Sequence, residues 1–178
     1  MATLENLQAA FNGESNARAK YLAFAEKADQ DGYGQVASLF RAAAAAEEIH
    51  ANSHANVIRK MGATPKADIA KPEVKSTREN LAVAIKGETY ERDVMYPTFI
   101  TEAKAENNRA AITTFEFALA AEAEHARLYQ EALDNLETWR GGKRTFYVCT
   151  VCGFTTATPI AERCPVCKAH KEKFKVVD

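Results

Sequence analysis

The sequence predicts an all-α four-helix bundle with one long crossover, followed by a small metal-ribbon tail built on four cysteines. Three observations predict it. Two Glu-x-x-His units, Glu47 to His50 and Glu122 to His125, lie in helix-patterned sequence. Each follows a lone glutamate in phase with it, Glu14 lying 33 positions before Glu47 and Glu88 lying 34 before Glu122. All four cysteines fall in the last thirty residues, as Cys149-x-x-Cys152 and Cys164-x-x-Cys167.

The first helix is expected from about Leu4 to Asp29, with Leu4, Leu7, Phe11, Glu14, Arg18 and Tyr21 on a three-and-four spacing. Asp31-Gly32-Tyr33-Gly34 breaks it. The second, about Gln35 to Met61, repeats the spacing with Val36, Phe40, Ala43, Glu47, His50, His54 and Val57. Gly62 ends it, and about fourteen residues with Pro65 and Pro72 follow, enough chain to cross a bundle. Ser76-Thr-Arg-Glu79 reads as a capping box opening the third helix, which carries Leu81, Ile85, Glu88, Glu91 and Met95. Pro97 should kink that helix near Asp93, because proline has no N–H for the helical ladder. The fourth begins near Asn107-Asn108 and runs by Phe115, Leu119, Glu122, His125, Tyr129 and Leu133 to Trp139. The expected division is a bundle over 1–139, a linker over 140–144 and a four-cysteine tail over 145–178. Phe146, Tyr147, Phe154, Phe174 and Val176 are expected to form the tail's small core, which at this size needs a metal to stay folded.

Composition narrows the function classes. The 178 residues are 47% hydrophobic and carry a net charge of −1, which argues against nucleic acid or an anionic membrane as the main partner. Residues Met1 to Asn6 show neither a basic start nor an apolar run, so the expected compartment is the cytoplasm. There, paired Cys-x-x-Cys units read as a metal site rather than disulfides. Residues 140–178 hold eight Lys/Arg against three Asp/Glu, so the tail is formally +5 and the bundle −6. That asymmetry favours docking of tail on bundle.

The glutamates and histidines occupy stripe positions where a plain bundle keeps leucine, and buried polar groups are costly unless paired or metal-bound. Residues three apart on a helix share a face, so each Glu/His pair can grip one ion. Glu14, Glu47, His50, Glu88, Glu122 and His125 then make the paired-metal site of ferritin-like carboxylate proteins. Oxygen donors with some imidazole suit iron or manganese. Glu91, one turn after Glu88, has no counterpart in the first half, where Ala17 stands. It is a seventh possible ligand and makes the two metal positions unequal. Tyr21 and Tyr96 are placed to hydrogen-bond ligand carboxylates, and His54 reads as a hydrogen-bonded histidine. Four thiolates accept zinc or iron. A neighbouring redox site shifts the balance toward iron, a one-electron relay. Gly153 permits the tight turn after the first knuckle, and Lys168 holds the matching place after the second.

With both sites in view, the chain resembles the rubrerythrin family over essentially its whole length. The resemblance rests on Glu14-Ser-x-Ala17, Glu47-x-x-His50-Ala, Gly87-Glu-x-x-Glu91 with Met95-Tyr96-Pro97, Glu122-x-x-His125-Ala, and Tyr147-x-Cys-x-x-Cys-Gly-Phe154 with Cys164-Pro-x-Cys167. It implies a ferritin-like bundle with a rubredoxin-like tail, holding two Fe in a di-iron carboxylate site and one Fe in a tetrathiolate site. It implies a non-haem peroxidase that reduces hydrogen peroxide to water in oxidative-stress defence. On that resemblance Glu14, Glu47, Glu88, Glu91, Glu122 and His125 bind the oxidised pair, and on reduction one iron leaves Glu91 for His50. Tyr21 and Tyr96 correspond to the family's tyrosines beside the ligands. Cys149, Cys152, Cys164 and Cys167 hold the third iron. Electrons would come from a separate rubredoxin or an NAD(P)H-dependent reductase. From His125 to Trp139 is fourteen residues, about 21 Å of helix. The chain's own tail therefore starts far from the site unless it folds back, and a head-to-tail homodimer is the expected assembly.

Two other classes stand beside this one. A ferritin-like protein that oxidises ferrous iron for storage would share the bundle, but the segment expected for a storage cage is replaced by the thiolate tail. A metal-stabilised module with structural zinc in the tail would leave the buried carboxylates without a purpose.

Overall fold

The computed structural model describes residues 1–178. Helix α1 spans Ala2–Gln30, α2 Gly34–Lys60, α3 Thr77–Tyr90, α4 Tyr96–Ala105 and α5 Arg109–Asp134. A π-helical segment, Glu91–Met95, joins α3 to α4, and a 3-10 turn, Leu136–Trp139, follows α5. The tail holds strands β1 Phe146–Cys149, β2 Thr155–Thr156 and β3 Phe174–Val177 in an antiparallel sheet ordered β2-β1-β3. This is a ferritin-like bundle, with α3, the π segment and α4 together serving as the third rod, plus a small four-cysteine tail. No helix is long and apolar enough to cross a membrane.

Local chemistry explains each boundary. Ser76 Oγ accepts from Glu79 N and the Glu79 side chain accepts from Ser76 N, the reciprocal cap expected there. Asn108 caps α5 by accepting from Ala111 N at 3.0 Å. The bend expected near Asp93 takes the form of the π segment. Pro97 offers no N–H to the carbonyl of Asp93, and the Tyr96 N–H reaches back five residues to Glu91 O.

The crossover, residues 61–76, has no regular structure, so its backbone groups need other partners. Helix α1 supplies them through Gln8, Asn12 and Asn16, spaced one turn apart. Lys66 N, Asp68 N and Ala70 N donate to their side-chain oxygens at 3.1, 2.8 and 2.9 Å. Two extended residues advance about 6.6 Å and four helical residues about 6 Å, so the two repeats stay in step.

Aromatic side chains Tyr21, Phe24, Phe40 and Tyr129 pack on one side of the buried acids. Tyr96, Phe99 and Phe115 pack on the other.

The tail folds back onto its own bundle, which removes the distance argument for a partner's bundle. After Trp139 the chain crosses the α1–α2 turn, where Gly34 N donates to Gly141 O and Gly141 N to Gly32 O at 3.1 and 3.2 Å. A Cβ on Gly34 would lie 2.1 Å from Gly141 O, so only glycine permits the crossing. From there β1 runs back along α2, and Phe146 and Val148 join the bundle's main core. The tail's expected core is corrected accordingly. Phe146 belongs to the bundle, Val176 is 65% exposed on an edge strand, and the small interior gathers Phe154 and Phe174 around the cysteines.

Candidate metal centres

Four helices bring six donors into one dry interior. Glu14 from α1, Glu47 and His50 from α2, Glu88 from α3, and Glu122 and His125 from α5 are all buried. They form two overlapping sets, each with its atoms within 4.8 Å of one another: Glu14, Glu47, His50 and Glu122, then Glu47, Glu88, Glu122 and His125. The shared residues are the two Glu-x-x-His glutamates. Glu47 presents Oε2 to His50 Nδ1 at 3.1 Å and Oε1 to His125 Nδ1 at 3.5 Å. Glu122 presents Oε1 to His50 Nδ1 at 3.1 Å and Oε2 to His125 Nδ1 at 3.0 Å. Two carboxylates therefore span the two positions, while Glu14 and Glu88 serve one end each.

The donor chemistry fits a metal pair. Glu14 Oε2 and Glu88 Oε2 are buried without hydrogen-bond partners, a costly state that metal coordination relieves. Burial drives the Glu47 carboxyl up to about 8, aided by the charges of Glu14 and Glu88, and raises Glu122 similarly. Burial works against a charged imidazole at His50, yet the Glu14 charge and the Glu122 hydrogen bond raise it well above its usual value. At His125, hydrogen bonds to Glu122, Glu47 and Glu88 overcome the same burial effect.

The sign of the pH dependence follows. Between pH 4.5 and 8 the metal-free fold holds a Glu47 proton that the unfolded chain has released, and the raised imidazoles act alike above 6.5. Stability conferred by these groups is full at low pH and is lost as pH rises. Glu14 and Glu88 are lowered and act oppositely, below pH 4.5. The metal-free protein is expected to melt roughly 5 °C lower at pH 8 than at pH 6, and metal to flatten that slope. Calorimetry at both pH values checks it; a Tm that rises with pH contradicts it.

Other polar side chains orient the donors. Tyr21 donates to Glu88 Oε1 at 2.7 Å and Tyr96 donates to Glu14 Oε1, so each terminal carboxylate has its own phenol. His54 is fully buried between Tyr96 Oη at 3.0 Å and Thr114 Oγ1 at 2.9 Å. Glu91 stands apart from both donor sets. It lines a cavity of about 240 Å³ between α1 and α3 with Gly13, Ala17, Tyr21, Ala84 and Gly87 among others. Burial, then the charges of Glu14 and Glu122, raises its carboxyl well above the usual range.

Sequence reasoning missed what holds the far side of the histidines. His50 Nε2 lies 2.9 Å from Cys152 O, and His125 Nε2 lies 2.9 Å from Thr155 Oγ1. A carbonyl only accepts, so His50 donates from Nε2, and when the acids' pull on its Nδ1 proton is replaced by a metal, Nδ1 is the nitrogen left free to bind it. Thr155 donates its hydroxyl proton to Gly153 O at 3.0 Å, so it accepts from His125 Nε2–H with the same consequence. The left-handed φ of +80° at Gly153 was legible as turn chemistry; the imidazole beneath it was not.

In the tail, the four Sγ atoms lie within 4.8 Å of one another, with Cys149–Cys167 and Cys152–Cys164 at 3.6 Å. A tetrahedron with metal–sulfur bonds of about 2.3 Å has edges of about 3.8 Å, so the cluster is shaped for one ion. Lys168 takes the left-handed conformation, φ +65°, that Gly153 takes in the first knuckle.

The comparisons agree with this geometry. A family model described as Rubrerythrin matches residues 5–133, and one described as rubrerythrin, rubredoxin-like domain, matches residues 147–175. Rubrerythrin-2 of Clostridium acetobutylicum is 38% identical over 97% of this chain and 95% of its own. Nigerythrin of Nitratidesulfovibrio vulgaris is 40% identical over 97% of this chain and 85% of its own. A solved structure of nigerythrin in its fully reduced, all-ferrous state superposes with a TM-score of 0.90 at 39% identity, covering 98% of this chain and 86% of that one. Bacterioferritin BfrA of Mycobacterium tuberculosis shares the bundle fold, with a TM-score of 0.70 at 20% identity. The Glu/His cluster fits the di-iron site of such proteins and the four cysteines their rubredoxin-like iron site, and the chain belongs to the rubrerythrin family.

Proposed function

We propose that this chain is a hydrogen peroxide reductase of oxidative-stress defence, working in the cytoplasm, with residues 1–139 as the catalytic bundle and 145–178 as its electron relay. The observation that carries the reading is the docking of the first cysteine knuckle on the histidines of the di-iron site. A storage protein has no need of such a link.

When bound, the iron pair supplies two electrons, the number needed to cleave a peroxide O–O bond and give two waters with two protons. The protein's residues do the rest. Glu47 and Glu122, common to both donor sets, would serve both ions, with Glu14 and His50 completing one position and Glu88 and His125 the other. Glu91 is the exchangeable ligand, and with His50 among the donors it faces the α1–α3 cavity. Without metal, burial and the charges of the neighbouring acids favour its protonated form, and the cavity it lines is wide enough to admit a small peroxide. Tyr21 and Tyr96 keep the terminal carboxylates in place as their charge environment changes. Aromatic packing on both sides keeps water from the site.

Electrons enter at the tail from a rubredoxin or an NAD(P)H-dependent reductase and pass from Cys152 through its carbonyl to His50. Cys149→Ser is expected to cut donor-driven peroxide turnover at least 100-fold while far-UV circular dichroism shows the bundle intact. Loss of helicity, or undiminished turnover, contradicts the division of labour.

The cavity beside Glu91 gives a second test. Gly87 is a mid-helix residue with no atom within 4 Å of an added Cβ, and glycine there costs up to about 1 kcal/mol relative to alanine. Gly87→Leu is expected to raise KM for peroxide several-fold with kcat retained, as steady-state kinetics would show. Assembly as a homodimer is also proposed. Val83, Tyr90 and Val94 line one side of the third rod as exposed apolar side chains, and sedimentation should give twice the chain mass.

A further inference from the structure

The tail touches both histidines, and the two contacts differ in kind. His50 is held by a backbone carbonyl, which any residue at position 152 would supply. His125 is held by a side chain, the fully buried hydroxyl of Thr155 on the short strand β2. The same hydroxyl donates to Gly153 O, and Gly153 follows Cys152 directly. Two hydrogen-bonded routes therefore leave one knuckle. One runs from Cys152 O to His50, and the other from Gly153 O through Thr155 Oγ1 to His125. The two imidazoles belong to opposite ends of the donor cluster, His50 with Glu14 and His125 with Glu88.

We propose that Thr155 is a positioning residue that makes a second, separate link between the tetrathiolate iron and the di-iron site. With a metal bound it would keep the His125 proton on Nε2, leaving Nδ1 to the metal, and it couples the knuckle to the second metal position. This rests on the relay reading above. With iron bound, re-reduction of the pair would need two electrons, one by each link, each supplied in turn by the external one-electron donor through the four-cysteine site. No proton or bond is exchanged in the link itself. A hydrogen-bonding partner on the outer nitrogen of a metal-bound histidine is typically worth 10–100-fold in metal affinity or activity.

Thr155→Val keeps the shape and removes the hydroxyl; Thr155→Ser returns the hydroxyl without the methyl. In full-length, iron-loaded protein, stopped-flow re-reduction of the ferric pair should show one of the two electron arrivals slowed at least 10-fold in Thr155→Val. The other should be unchanged, and Thr155→Ser should restore the wild-type course. A second readout needs no turnover: a chelator should strip one iron of the pair 10–100-fold faster from Thr155→Val than from wild type or Thr155→Ser. Equal slowing of both arrivals would mean that the whole lobe has shifted, and would overturn the inference, as would wild-type behaviour of Thr155→Val in both measurements. Wild-type protein with zinc in the tail separates the premise. If its di-iron site is re-reduced as fast as with iron in the tail, the relay reading fails, and the chelator measurement still decides the role of Thr155.

Discussion

Replacing Gly153 with alanine is expected to uncouple the two metal centres while leaving the tetrathiolate site intact. The added Cβ would sit 2.3 Å from His50 Nε2 and 2.9 Å from its Cδ2, well inside contact distance. His50 cannot retreat, because its Nδ1 is held among Glu14, Glu47 and Glu122. The backbone adds its own penalty, since φ of +80° costs an L-residue roughly 1–2 kcal/mol. The knuckle must therefore lift away, breaking the hydrogen bond from His50 to Cys152 O. The cysteines themselves are undisturbed, so the visible spectrum of the tetrathiolate iron should persist. Electron transfer to the di-iron site should fall by about 10–100-fold. Stopped-flow spectroscopy of re-reduction measures it, and a rate equal to wild type would show that the contact carries no electrons.

Glu91→Ala should separate metal binding from turnover. Four carboxylates and two imidazoles remain in the two donor sets, so the iron pair should still load. What disappears is the carboxyl beside the cavity, the proposed exchangeable ligand. Loss of a positioned acid typically costs about 10²–10⁴-fold in rate. The metal-free variant should also be slightly more stable than wild type, because a half-buried carboxyl facing other acids is removed. Iron quantification, thermal melts and steady-state peroxide kinetics check the three statements; unchanged kinetics would remove Glu91 from the mechanism.

How much of this was legible in the sequence depends on how local the physics is. Glu14, Glu47, His50, Glu88, Glu122 and His125 were legible because each replaces an apolar side chain on a stripe that the helical period fixes. Ser76 and Glu79 were legible because a capping box is complete within four residues. Pro97 located the bend but not its π-helical form, which depends on where the displaced hydrogen bonds settle. The docking of the tail was not legible. It joins residues 102 apart, and it hinges on the crossing of Gly34 against Gly141, where neither glycine announces its partner. Helix length alone says that the tail starts far from the site unless it folds back, and the sequence carries no sign of whether it returns to its own bundle. Val176 is expected inside as one of the tail's few apolar residues, yet it lies on an edge strand facing solvent. The amides Gln8, Asn12 and Asn16 looked like an ordinary polar face; their four-residue spacing opposite an extended proline-containing segment was the signal available. Thr155 carried no signal at all.

The most direct test mixes anaerobically reduced, fully iron-loaded protein with one equivalent of hydrogen peroxide, and separately with oxygen, in a stopped-flow spectrometer. The expected result is rapid oxidation of the di-iron site by peroxide, well ahead of oxygen, followed by the red colour of ferric tetrathiolate as the tail hands over its electron. Oxidation by oxygen at the same rate or faster, with the tail's iron left ferrous, would contradict the account and favour iron oxidation instead.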